Sequence, residues 1–263
     1  MKYEVAIPSY RRPEAVRKKT LKFLRDMEVP KDRIRVFVAN DQEAETYRAS
    51  GVEDDCSELV VGVKGQAAVR NFIQTWYPEG TPLLYVDDDL HGILRYRSNW
   101  KTKGEARFSY LSPSEFRHLV SQGFDATRAT GLRLWGVHST RNPMFMADKP
   151  STTLKHIPGG FYGIRVSHDL EKYGGEFDER NDYERTLKYF VADGGVFRWN
   201  HVTMDTVVYS GAGGLQGLRT PESSHYYAQL LVQRFPGLAQ INSKRTTADR
   251  AEIRLVHPRG KRR

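Results

Sequence analysis

Short apolar runs separated by amphipathic stretches organise the first third of this chain. Glu4–Pro8, residues 34–39, residues 58–63 and Pro82–Val86 carry Val, Ile, Leu, Phe or Tyr at successive positions. Runs without polar alternation read as strands buried on both faces. Between them, residues 13–27, 42–50 and 66–77 are spaced like helices. The first of these opens on Pro13, a favoured first-turn residue. It sets Val16, Leu21 and Leu24 on one side and Lys18, Lys19 and Lys22 on the other. Strand–helix alternation of this period predicts right-handed βαβ units and a mostly parallel α/β sheet.

The remainder is less regular. Ser112 and Ser114-Glu115 open a helix running to about Ala129, and residues 132–137 read as a strand. Residues 140–151 are polar and loop-like. Residues 153–166 suggest two strands around Pro158-Gly159-Gly160. A helix over 182–192 stops at Gly194-Gly195, a strand covers 196–203, residues 210–219 are glycine-rich, and 222–234 is helical. No repeat or linker divides the chain. The pattern predicts one domain over 1–240, with a regular half (1–90) and an irregular half (91–240), then a basic tail (241–263).

Composition narrows the class. The 263 residues are 39% hydrophobic and 11% aromatic, enough for a full core. The net charge is +9, which favours polyanionic partners. Residues 244–263 hold eight basic and two acidic residues, and residues 95–107 hold five and one, interleaved with Tyr96 and Trp100. Basic segments with aromatics suit nucleic acid; a solvated surface is the plainer reading, and for residues 11–25 the better one. The single cysteine, Cys56, excludes a disulfide framework. No run of eighteen apolar residues marks a transmembrane helix, and Met1-Lys2-Tyr3-Glu4 lacks a signal-peptide pattern. A soluble cytoplasmic protein is expected.

The fourth strand ends in Asp87-Asp88-Asp89. Ligand sites of open α/β sheets lie at carboxyl ends of strands, and clustered oxygens suit a hard divalent cation. A solvated acidic cap fits the triplet equally well on its own.

Several further segments, in this order, carry a resemblance to the GT-A-fold glycosyltransferases: Val5-Ala6-Ile7-Pro8-Ser9-Tyr10-Arg11-Arg12-Pro13, Asn40-Asp41, Gly62-Val63-Lys64-Gly65-Gln66-Ala67-Ala68-Val69-Arg70-Asn71, the Asp triplet, Ile157-Pro158-Gly159-Gly160, and Phe177-Asp178-Glu179-Arg180-Asn181-Asp182. The resemblance implies that residues 1–90 form a nucleotide-sugar-binding half and 91–240 an acceptor and catalytic half. It places Pro8, Ser9, Tyr10, Arg11, Asp41, Lys64, Arg70, Asn71, Gly159 and Gly160 around a UDP-sugar, with Arg219 of the glycine-rich loop countering the departing diphosphate. Asp89 would ligate Mn²⁺ or Mg²⁺, and Asp87 would hold the ribose or a metal-bound water. Asp88 belongs to the donor-side set by its place in the motif, although alternation on extended backbone turns its side chain away.

His201, or secondarily His225, is the candidate histidine ligand, though a lone histidine is more often structural. Asp182 falls where inverting members of the family keep their base; by itself it would read as a helix-start carboxylate. Asn181-Asp182 departs from the usual Glu-Asp pair.

The details around residues 5–12, 84–89 and 181–184 look similar to bacteriophage TET-associated DNA glycosyltransferases, related to base J glucosyltransferase. That narrower likeness implies a phage-encoded enzyme of the host cytoplasm. Its acceptor would be 5-hydroxymethylcytosine, or a similar modified pyrimidine, extruded from DNA. Trp100, Tyr96 and Trp135 are then stacking candidates. Arg95, Arg97, Lys101, Lys103 and the tail are phosphate contacts. A saccharide or protein acceptor, and a non-catalytic nucleic-acid-binding module, remain open.

Overall fold

The computed structural model describes residues 2–97, 107–206 and 220–258. Trp100, Lys101, Lys103, the 210–219 loop with Arg219, and the last five residues lie outside them.

Among the described residues, nine strands form one sheet: β1 Glu4–Pro8, β2 Ile34–Val38, β3 Glu58–Val61, β4 Pro82–Val86, β5 Leu90–Tyr96, β6 Phe108–Tyr110, β7 Leu134–His138, β8 Phe161–Arg165 and β9 Phe197–Thr206. Their order is β3-β2-β1-β4-β8-β7-β9-β5-β6. The first four are parallel, as the alternation predicts. β8 enters antiparallel to both β4 and β7. β9 is parallel to β7 and antiparallel to β5, which carries β6.

The period of two along each strand divides the core in two. Val5, Ile7, Val36, Val38, Leu84 and Val86 face the segment from Val16 to Leu24 and the Pro113–Thr130 helix. Ala6, Phe37, Leu83 and Tyr85 face the helices Gln66–Trp76, Asn181–Asp193 and Pro221–Arg234. Covering both faces explains why these strands show no polar alternation. The chain reverses direction across the sheet between β1 and β4. That switch point opens a crevice at the carboxyl ends of β1, β2 and β4.

Four features depart from the sequence reading. The first helix, residues 13–26, is α-helical at Pro13–Ala15, π-helical at Val16–Leu21 and α-helical again at Lys22–Asp26. β5 and β6 were not anticipated. Within residues 153–166 only β8 forms, because the apolar Leu154 and Ile157 are buried from a loop rather than a strand. Beyond residue 238 the chain folds into a hairpin, β10 Ala239–Ile241 against β11 Ile253–Leu255. Its Ala239, Ala251 and Ile253 are buried with the second core, so residues 239–255 are not a separate tail.

Candidate active site

A cleft of about 920 Å³ lies over the crevice. Its floor is the Asp triplet, and each carboxylate points a different way. Asp88 is buried. It accepts from Ser9 Oγ at 2.7 Å and from Arg12 at 3.3 Å. Ser9 in turn bonds the Tyr47 hydroxyl at 2.7 Å, and that hydroxyl accepts the Arg12 backbone N–H at 3.0 Å. Asp88 therefore ties β4 to the turn after β1. Asp88 and Asp89 lie in a turn rather than on extended backbone, so strand alternation does not decide where the Asp88 side chain goes.

Asp89 accepts from the Thr206 hydroxyl at 2.8 Å, with Arg12 3.6 Å away. Asp87 lies 3.6 Å from Arg70 and leaves 40% of its side chain in solvent. Burial of its surroundings pushes the Asp87 carboxyl up to about 7; Arg70 opposes this, and the charges of Asp89 and Asp88 add to it. The turn itself is pinned from below. Thr20, fully buried in the π-helical stretch, donates to the Asp87 carbonyl at 2.7 Å and accepts from Leu90 N–H at 3.0 Å.

The opposite wall is the start of the Asn181–Asp193 helix. Arg180 precedes it in the left-handed region, φ 58°, and Asp182 sits in its first turn, where the helix dipole favours a carboxylate. Asp182 Oδ1 accepts from Tyr183 N–H and Oδ2 lies 2.9 Å from His156 Nε2. Burial alone would raise the Asp182 carboxyl. The His156 charge and hydrogen bond, Arg185 and the Tyr183 N–H outweigh it and hold it far below the usual carboxylate range.

Between floor and wall runs Pro158-Gly159-Gly160. Buried Arg185 donates to the Ile157 and Pro158 carbonyls at 2.9 and 3.1 Å and lies 3.6 Å over the Tyr162 ring. Asp87 N–H donates to the Gly160 carbonyl at 3.0 Å. A Cβ at Gly159 would stand 4.0 Å from both Asp87 Oδ2 and Asp182 Cβ, and 3.9 Å from Arg70. Gly159 thus marks the gap between Asp87 and Asp182. Asp178 joins the walls from another direction, accepting Ala67 N–H at 3.1 Å at the start of the Gln66–Trp76 helix.

The structure brings Pro8, Ser9, Tyr10, Lys64, Arg70, Asp87, Asp88, Asp89, Gly159, Gly160 and Asp182 to this one cleft. Five others are not among its lining residues. Asn71 spends its amide on the backbone of Gly175, at 2.8 and 2.7 Å. Asp41 is exposed in the first turn of the Asp41–Ala49 helix. Arg11 lies 5.0 Å over the Tyr10 ring. His201 packs edge-on against Trp199, and its Nδ1 is buried without a hydrogen-bond partner. His225 faces the carbonyls of Thr247 and Ala248.

Sequence reading missed Thr20, Arg185 and above all His156, a histidine in an aperiodic segment with nothing local to mark it. It also missed the hairpin, whose Asp249, Arg250 and Glu252 close the cleft beside Asp182. Trp135 is fully buried against Phe124 and Phe161, so it is core and unavailable to stack on a base. Arg95 is paired with Glu115 at 2.7 Å.

Among the described residues, no three His, Cys, Asp or Glu side chains converge as a self-sufficient metal cage. Asp87 and Asp89 instead fit a cation of the Mg²⁺ type, which takes one or two carboxylates and completes its shell from phosphates and water. The charges of Asp89 and Asp88, which add to the burial that raises Asp87, are what such a cation would relieve. No helix among the described residues is long and apolar enough to cross a membrane.

No family model matches the chain, and no curated protein does. Solved structures do. S. aureus TarS superposes with a TM-score of 0.52 at 15% identity, covering 89% of this chain and 39% of TarS; the chain thus spans well under half that protein's length. The mannosyltransferase PcManGT of Pyrobaculum calidifontis, solved with GDP-Man and Mn²⁺, gives 0.52 at 15% identity over 88% of this chain and 62% of its own. M. tuberculosis glucosyl-3-phosphoglycerate synthase gives 0.52 at 13% identity over 97% and 88%. At these identities the likeness is one of architecture, and the chain has the GT-A fold of these glycosyltransferases.

Proposed function

We propose that this chain is a metal-dependent, inverting glycosyltransferase using a nucleoside-diphosphate sugar, with UDP the expected nucleotide. The observation that carries the reading is the gap at Gly159, with Asp87 on one side and Asp182 on the other. The donor diphosphate lies over the triplet, where Arg12, Lys64 and Arg70 face it. Asp89 and Asp87 would hold a divalent cation, which would supply charge neutralisation for the leaving diphosphate. Asp182 takes the proton of the acceptor hydroxyl as that oxygen attacks the anomeric carbon from the opposite face. The donor ligands named for two solved neighbours, UDP with TarS and GDP-Man with PcManGT, support this class of donor.

For the acceptor we propose a hydroxymethylated pyrimidine in DNA, supported by the resemblance over residues 5–12, 84–89 and 181–184 and by the net charge of +9. One observation favours a neutral saccharide instead. Among the described residues, the wall around Asp182 carries Asp178, Glu179, Asp182, Asp249 and Glu252 against Arg180, Arg250 and His156. A phosphate backbone is repelled there, so DNA could present only its uncharged base.

The deciding assay incubates UDP-sugars and Mn²⁺ with hydroxymethylcytosine DNA, unmodified DNA and free saccharides. A mass gain confined to modified DNA supports the first acceptor, and UDP release that ignores DNA supports the second. Absence of any UDP release or nucleotide binding would leave only a nucleic-acid-binding module. Asp182→Asn is expected to lower transfer at least ~10²-fold, the usual scale for losing a general base, while UDP binding persists. Undiminished transfer would remove Asp182 from the role.

A further inference from the structure

His156 is held from three sides. Its ring stacks on Tyr183 with centroids 4.1 Å apart and planes 19° from parallel. Its carbonyl accepts from Arg198 at 3.3 Å, and Arg198 is itself fixed by Asn200 at 2.8 Å. The next residue, Ile157, donates its N–H to Thr186 Oγ at 3.1 Å, one turn after Asp182 on the same helix. The imidazole can then reach one carboxylate oxygen, Asp182 Oδ2 at 2.9 Å. Both side chains remain partly open to the cleft, at 18% and 28% exposure.

We propose that His156 is a positioning residue for the base: it locks the Asp182 carboxylate toward the gap at Gly159 and keeps it ionised there. The inference rests on the reading of Asp182 as the base. In the transfer step the acceptor O–H bond breaks and its proton passes to Asp182. The oxygen's electron pair forms the new bond to the anomeric carbon. The old bond from that carbon to the diphosphate breaks, and its electrons leave with the nucleoside diphosphate. His156 gains and loses no atom in this step.

The geometry leaves room for that proton. A carboxylate offers about four lone-pair sites. Tyr183 N–H and His156 each occupy one, on different oxygens, so each oxygen keeps a site free. Two anchored oxygens also fix the plane of the group, as a base needs to meet one hydroxyl in one orientation. Other charged or titratable groups facing the pair are Arg185 on the same helix, Arg198 on β9, His138 at the end of β7, and Arg180, Arg250 and Glu252 around Tyr183. Of these, Arg185 shares with His156 the task of holding Asp182 ionised.

His156→Gln and His156→Ala separate the two parts of the role. Glutamine keeps an N–H that can reach Oδ2 but carries no charge. In His156→Gln the acid limb of the kcat–pH profile is expected to move to higher pH, with kcat on the plateau largely retained. In His156→Ala kcat is expected to fall about 10²-fold, the cost of a misplaced catalytic group, with UDP affinity by calorimetry unchanged. A purely structural histidine would move neither the acid limb nor the kcat-to-affinity split. Acid limbs that coincide in all three proteins, or an alanine variant within twofold of the original kcat, would overturn the proposal. If His156→Ala loses UDP binding through misfolding, the glutamine profile alone decides.

Carboxyl ¹³C NMR of Asp182, identified by its loss in Asp182→Asn, gives a readout independent of transfer. Asp182 titrating higher in His156→Gln supports the pairing even in a protein that moves no sugar, and that combination would sink the proposed function alone. Identical titration in both proteins overturns the pairing whatever the activity.

Discussion

At the scale of single residues, three adjacent carboxylates have been given three environments. Asp88 is buried in a chain of hydrogen bonds with Ser9, Tyr47 and Arg12. Removing it takes one partner from Ser9 and one from Arg12, and leaving buried polar groups short of a partner costs roughly 1–3 kcal/mol. Asp88→Ala should therefore lower stability by about that much in urea titrations. Asp89→Ala should unfold near the original midpoint but lose the rise in Tm that saturating Mn²⁺ produces, which amounts to about 2.7 kcal/mol at a hundredfold excess over Kd. A reversed pattern, with Asp88 governing the metal response, would mean the carboxylates have been assigned the wrong way round. The triplet, Asp182 and the two glycines were legible in the sequence because each sits at a recognisable junction. His156 was not, since its role lies in contacts with Asp182 and Tyr183, 26 and 27 positions away.

At the scale of elements, the π-helical stretch Val16–Leu21 does what its sequence does not announce. Single π-turns are rare and concentrate at functional sites. Here the stretch carries a buried threonine to the backbone of the Asp turn, where it bridges Asp87 and Leu90. Thr20→Val keeps the shape and removes both hydrogen bonds. It is expected to cost about 1–3 kcal/mol and to weaken Mn²⁺-dependent UDP binding, whereas Thr20→Ser should restore both. Valine without effect on either measurement would show that the turn holds its shape unaided.

Helices and parallel strands were legible because their apolar period reports directly on the faces they bury. The hairpin and the single strand within 153–166 were not. Leu154 and Ile157 look like strand residues, yet the Ile157 backbone bonds Thr186 and Arg185, across the fold, rather than a neighbouring strand.

At the scale of the whole molecule, half-buried Asp182 and buried His138 both contribute to the response to acid. Asp182 has a depressed folded pKa. Its stabilising contribution is present above the ordinary carboxylate value of about 4 and is lost as pH falls below that toward its folded value. His138 is buried, and burial together with Arg198 lowers it to about 4. At this histidine the unfolded chain, near 6.5, binds more protons than the folded one between these values, so the contribution of His138 to stability falls as pH drops through this window, while Asp87, raised to about 7, contributes with the opposite sign. His138→Gln is expected to remove the His138 part of the dependence of Tm on pH between about 6.5 and 4, leaving Tm less sensitive to acid there than in the original protein; a slope unchanged from the original protein would place the acid sensitivity elsewhere.

The order of strands and helices in the amino-terminal half, and the arrival of three carboxylates at a strand end, follow from the sequence alone, because local periodicity and chain order dictate them. How each carboxylate of the triplet is held, which histidine meets Asp182, and that Asp249, Arg250 and Glu252 line the cleft beside Asp182 were decided only in three dimensions. Those contacts join segments far apart in the chain, and the sheet crossovers that bring them together leave no local pattern in either partner.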